Sequence, residues 1–310
     1  MRKFIVQSAL FLLVLALTLT GSVLFVPSPE MRQSLLCMAP VKVALLRGTP
    51  SPKIIFVGGS NLSMGLNSQP ISETFGLPVV NMGLHGGLGL AYMMEEVRPY
   101  VRKGDILVLT PEYSQLYSDN YLGNIEVMGV VFDVMPEKRK ELAWKQWWHL
   151  TPLIPNYAAK KLFNLATTKP GGKTAAVDMS SQFNTYGDFT SHWDQVDAPV
   201  VPLAKWRGSV NFDLCYLNQF ERFVRDMQKT GARVLIAPPC FQATSFDNIK
   251  PLITRIESEL HRRDLPIIAT MSHYRMDDAL CSGTPYHLNI RGVDIRTSRL
   301  IQDLSEVLKK

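Results

Sequence analysis

Cysteine is scarce. Cys37, Cys215, Cys240 and Cys281 are the only four in 310 residues, too few for a fold built on disulfides. No Cys-x-x-Cys pair occurs among them, so neither a zinc finger nor a thioredoxin-type centre is supported. A basic run is also missing. The 33 Lys and Arg exceed the 27 Asp and Glu by six and are spread along the chain, so nothing points to nucleic acid. Charge is sparse, at 19% against 46% apolar residues, which excludes a disordered chain. Twenty glycines and twenty prolines are too few for a fibrous repeat. No P-loop is present, and Gly83-Leu84-His85-Gly86-Gly87 does not fall into the Gly-x-Gly-x-x-Gly register of a dinucleotide site. The length allows one large domain or two small ones.

Phe4 to Val26 is an uncharged apolar run of 23 residues. As a helix it is about 34 Å long, enough for the ~30 Å hydrocarbon core of a bilayer. Arg2 and Lys3 precede it, so the positive-inside rule puts the N-terminus in the cytoplasm. A cleaved signal peptide is the competing reading. The run exceeds a usual signal core and lacks an Ala-x-Ala site, with Leu19-Thr20-Gly21-Ser22 its weak substitute, so an uncleaved anchor is favoured. The expectation is residues 1–27 as transmembrane anchor or signal segment and 28–310 as an extracytoplasmic domain on the cytoplasmic membrane. There Cys215, Cys240 and Cys281 can form at most one disulfide, and the sequence does not choose the pair.

Residues 30–48 have helical apolar spacing limited by Pro40. After them one pattern repeats: a short apolar run, a Gly-rich or polar turn, an amphipathic segment. The runs are 53–57, 77–80, 105–110, 233–237 and 265–269, the signature of parallel strands buried on both faces. Helical spacing is predicted over 88–100, 214–229, 246–262 and 295–309, the second of these stopping at Gly231. Strand alternating with helix predicts a three-layer, doubly wound α/β fold on a five-stranded parallel sheet. Residues ~113–212 break the rhythm. They hold all five tryptophans and Pro170-Gly171-Gly172, and read as an insertion, mainly helical from 136 to 165. Trp144, Trp147 and Trp148 suit a lid, a membrane-interface belt or ordinary packing, and packing is favoured.

Sites in such sheets lie at the carboxyl ends of strands. Ser60 follows the first strand behind Gly58-Gly59, the place where serine hydrolases present a nucleophile; the alternative is that Ser60 or Asn61 caps a helix. Asn81-Met82-Gly83 ends the second strand, and a glycine there can aim an N–H at an oxyanion or merely supply a tight turn. His287 precedes the last helix and suits a general base, or a helix start. His85 sits in the second Gly-rich turn.

These segments together resemble the SGNH/GDSL hydrolase superfamily. The order of Gly-x-Ser, Gly-bearing turn and late His loop is similar over about residues 50–112 and 215–310, with the insertion unmatched. The resemblance implies a flavodoxin-like sheet, Ser60 as nucleophile, His287 as base, and the Ser60 and Gly83 N–H groups as oxyanion hole. It implies no metal and no organic cofactor. Where the family has Gly-Asp-Ser-Leu this chain has Gly58-Gly59-Ser60-Asn61. Thr110-Pro111-Glu112-Tyr113 replaces the block carrying the family's Asn, and Thr284 replaces the Asp three residues before the His. Glu112, Asp277 or Asp278 then orients His287, or Ser60 and His287 work as a dyad. Asn61, Asn81, His85 and Thr284 complete the expected pocket. With its anchor the chain is similar to proteins that move acyl groups in alginate O-acetylation and teichoic-acid D-alanylation. That implies a serine esterase or O-acyltransferase of cell-surface polysaccharide, with an acylated polysaccharide or lipid-linked acyl donor as partner. The missing acid keeps an alternative open: a non-catalytic binding protein working with other envelope-assembly proteins.

Overall fold

The computed structural model describes residues 1–28, 31, 34–167, 179–209 and 213–309; Pro170-Gly171-Gly172 lies outside them. The N-terminal run forms α1 (Arg2–Phe25), exposed for most of its length, with Ser22 and Val23 buried against the domain. Among the described residues it is the one helix long and apolar enough to cross a membrane. A 3₁₀ turn over Leu35–Met38 leads into α2 (Ala39–Gly48). Pro40 starts this helix rather than limiting it, because its missing N–H falls in the first turn, where no partner is required.

The repeated pattern follows. β1 (Ile54–Gly58) leads to the short helix α3 (Ser60–Ser63) and then to α4 (Ser68–Phe75). β2 (Val79–Asn81), α5 (Leu90–Val97) and β3 (Ile106–Thr110) come next. The insertion carries α6 (Ile125–Gly129), α7 (Trp144–Leu150) and α8 (Ile154–Thr167). The chain then returns through α9 (Cys215–Lys229), β4 (Arg233–Ile236), β5 (Phe241–Gln242), α10 (Ala243–Asn248) and α11 (Lys250–Arg262). β6 (Arg275–Met276) and α12 (Ile290–Leu308) complete it.

The central sheet is parallel, in the order β2-β1-β3-β4, with Ile55 beside Val80 and Leu107, and Leu107 beside Val234. Alternate strand residues feed two cores. Ile55, Val57, Leu107 and Leu109 pack with helical residues such as Leu90, Phe220 and Leu252. Ile54, Phe56 and Val108 pack on the other face with Ile71, Leu300 and Leu304. Helices therefore cover both faces, and the strands of this sheet are buried apart from Arg233 at the start of β4, as a parallel sheet requires.

Among the described residues the sheet has four strands, not the expected five. The run at 265–269 lies beside β4 but makes a single bridge, Ile267 to Ile236. Pro266 has no N–H to donate, and Ile267 spends its own on Leu265 O at 2.8 Å, so the ladder cannot extend. The helix expected over 246–262 is two helices, broken at Ile249, because Pro251 lies in the first turn of α11 and has no N–H to continue the α10 ladder. Gly231 has φ 87°, the left-handed end expected after α9. Packing accounts for only part of the tryptophan cluster. Trp147 meets Phe132 edge-on at 6.0 Å, whereas Trp144 and Trp148 are exposed. Cys215, Cys240 and Cys281 are thiols, with no disulfide among them.

Candidate active site

The strand order reverses between β1 and β3, which places their carboxyl ends at the topological switch point of the sheet. Ser60 starts α3 directly after β1, and Glu112 follows β3. α3 is held from below by Arg296 of α12, a fully buried side chain whose Nη1 donates to Asn61 O and, at 3.2 Å, to Gly65 O. This tie across 235 residues fixes the serine turn to the helix that follows the histidine loop.

That loop is itself pinned. Asn289 caps α12 by accepting from Gly292 N–H at 3.0 Å, and its amide donates to Ala279 O and Asp197 Oδ2. Tyr286 packs 4.5 Å from the Phe241 ring and accepts at its hydroxyl from Tyr113 N–H. Between these anchors, His287 Nε2 lies 2.8 Å from Ser60 Oγ. Burial, followed by the neighbouring His192 and His85, lowers the His287 pKa to about 4. The imidazole is neutral at neutral pH and can accept the serine proton. His192, which looks structural or solvated in the sequence, is held by Met64 O at 3.1 Å, and burial lowers its pKa too.

None of the candidate acids is bonded to that imidazole. Asp277 caps its own turn by accepting from Ala279 N–H, and Asp278 accepts from Thr244. Thr284 accepts from Tyr286 N–H. The carboxyl of Glu112 accepts instead from the Asn61 side chain, at 3.5 Å, and from its backbone. Burial raises its pKa to about 7, with those hydrogen bonds opposing the shift. Two glycines make room for this carboxyl. A Cβ on Gly59 would come within 2.5 Å of Glu112 Oε1, and one on Gly86 within 2.6 Å of Oε2. The sequence Gly58-Gly59-Ser60 therefore serves the close approach of two turns around a half-buried acid.

Gly83 is not brought to the serine cleft. Its N–H donates to Asn81 Oδ1 at 2.9 Å, and a Cβ there would meet Leu62 Cβ at 2.4 Å. The asparagine side chain folds back on its own backbone, as Asx turns do, and so takes the N–H expected for an oxyanion. Asn81 is likewise structural. Its amide donates to Leu62 O and to Asp188 Oδ1, at 3.1 and 2.7 Å. Asp188 also accepts from Ser68 N–H, Ser68 Oγ and Asn184 Nδ2. Lys42 closes the network on Asn81 O and Gly187 O, its pKa lowered to about 7 by burial against the opposing pull of Asp188. Asn61 does not cap a helix; its amide reaches Thr110 O at 3.3 Å.

Ser60, His287, Glu112 and His85 line one open cleft of about 270 Å³, with Gly86 and Gly87 on its wall. His85 Nδ1 accepts from Gly87 N–H. Ser114, Asn120 and Asn124 also line it. Sequence reasoning missed those three, although their place just beyond the third strand was a usable signal. A larger cleft of about 440 Å³, lined in part by Trp144, Cys215 and Arg222, holds no comparable nucleophile–base pair. No group of three or more metal-ligating side chains occurs among the described residues. The chain matches no protein-family model and no curated protein.

Proposed function

We propose that this protein is a membrane-anchored, extracytoplasmic serine esterase or O-acyltransferase that acts on acyl groups of cell-surface polysaccharide. The observation that carries the reading is the 2.8 Å approach of His287 Nε2 to Ser60 Oγ at the sheet's switch point. With the imidazole proton on Nδ1, Nε2 takes the serine proton as Oγ bonds to the acyl carbon. The carbonyl electron pair moves onto oxygen, where Ser60 N–H and Gly86 N–H, from the two turns at the cleft, supply the oxyanion donors. Collapse expels the alcohol, which takes the proton from His287. A second hydroxyl, of sugar or water, then attacks the acyl-serine by the same steps in reverse. The lining of hydroxyl and amide side chains suits a polar, hydrogen-bonding substrate. α1 crosses the cytoplasmic membrane with Arg2 and Lys3 inside.

The test is covalent labelling of the full chain by a fluorophosphonate. Stoichiometric labelling that disappears in Ser60→Ala supports the reading. Absence of labelling in the folded protein rejects it in favour of a binding protein of an envelope-assembly system. That second reading is favoured by one observation: among the described residues no carboxylate is bonded to the His287 ring, with Asp277 and Asp278 both turned to other partners.

A further inference from the structure

We infer that the exposed apolar side chains of the last turns of α8 are seated in the outer leaflet of the bilayer, giving the domain a second membrane contact beside its anchor. The inference rests on the reading of α1 as a membrane span.

The argument begins with depth. At 1.5 Å per residue, about 20 residues of α1 fill the ~30 Å hydrocarbon core. Counted from Lys3, the outer edge of that core falls near Ser22 and Val23. Those are the α1 residues that the domain buries. The contact is made by α8. Lys161 is fully buried, donates to Val23 O at 2.8 Å and pairs with Asp133 Oδ1 at 2.7 Å. The ammonium thus closes a carbonyl at the end of α1, where a helix dipole favours a cation. Tyr157, which donates to Asp133, and Ala158 lie on the same buried side of α8. This tie holds α8 at the level where the anchor leaves the lipid.

The last turns of α8 carry apolar side chains that nothing covers, flanking its buried strip, while Asn156 and Lys160 are exposed earlier in the helix. Leu162, Phe163 and Leu165 are 37%, 67% and 56% exposed. A stable protein partner buries about 800 Å² per side, more than three side chains provide. An amphipathic helix lying at the headgroup boundary needs only a short apolar face, and this one is continuous with a helix already surrounded by lipid. Lipid is therefore the occupant the structure favours.

The experiment uses the full chain in vesicles of phosphatidylcholine and phosphatidylglycerol in equal parts. Cys37→Ser and Cys215→Ser leave only the buried thiols of Cys240 and Cys281. Nitroxide labels are then placed singly by Phe163→Cys, Leu165→Cys, Leu12→Cys within α1, and Ser258→Cys on the exposed side of α11. The ratio of oxygen to nickel-chelate accessibility is read for each, after circular dichroism has established the fold. The expected result is a ratio at 163 and 165 well above that at 258, approaching that at 12. Ratios at 163 and 165 equal to that at 258, with 12 in lipid, overturn the second contact and leave the span intact. A water-like ratio at 12 overturns the span and the second contact together. Labelling at two positions keeps the outcome readable if one variant misfolds.

Discussion

Changing the pH tests the site most directly, because two of its titratable groups, His287 and Glu112, are displaced in opposite directions. A solvent histidine with pKa near 6.5 is about 90% protonated at pH 5.5, whereas one with pKa about 4 is about 3% protonated. The structure therefore predicts that the pseudo-first-order rate of fluorophosphonate labelling at pH 5.5 is within a few per cent of its plateau. An exposed base would give about a tenth of it. The acid limb falls near pH 4. The alkaline limb comes from Glu112, which is neutral below its raised pKa of about 7 and ionised above it. An ionised carboxylate lining the same cleft repels the developing oxyanion, so the labelling rate falls as pH rises through about 7. Glu112→Gln keeps an acceptor for Asn61 and cannot ionise, so it removes the alkaline limb and leaves the acid limb in place. An acid limb centred near 6.5, or an alkaline limb that survives in Glu112→Gln, refutes the assignment. Stability carries the same signature. The native state binds more protons at Glu112 than the unfolded chain between about pH 4.5 and 7, so that contribution is lost as pH rises through this window. The Tm of wild type relative to Glu112→Gln should fall across the same interval.

Other expectations follow from single contacts. His287→Ala should slow labelling by about 10²–10⁴-fold, the range for a removed general base, with the far-ultraviolet circular dichroism unchanged. Asp188→Ala strips the acceptor from Ser68, Asn81 and Asn184 beside buried Lys42, and should cost about 3–5 kcal/mol by chemical denaturation. A smaller loss than about 1 kcal/mol would show that the network relaxes without it. Gly83→Ala forces a methyl to within 2.8 Å of Ser63 N, and should destabilise the protein by about 1–3 kcal/mol.

The strands and helices were legible because a parallel sheet covered on both faces imposes continuous apolar runs, and its helices impose a 3.6-residue spacing. The limits of that reading are instructive at 265–269, where composition promised a full strand and one proline reduced it to a bridge. The tryptophans show a similar limit: apolar content alone could not separate Trp147, which packs, from Trp144 and Trp148, which do not. Within the cleft, the sequence pointed to Ser60 through its place behind the first strand and to His287 through its place before the last helix. It also named Glu112, but only as one of three acids able to orient the histidine.

By itself, then, the chain's local pattern determined an apolar N-terminal helix, a parallel α/β sheet, and a serine and a histidine at the ends of its elements. Only the tertiary structure decided that these two meet across 227 residues, that Gly83 spends its N–H on Asn81, and that a carboxyl packs between Gly59 and Gly86. The reason is one of range. Periodicity and turn chemistry act over a few neighbouring residues. Hydrogen-bond partners, burial and the proton affinities that burial sets depend on segments brought together from opposite ends of the chain.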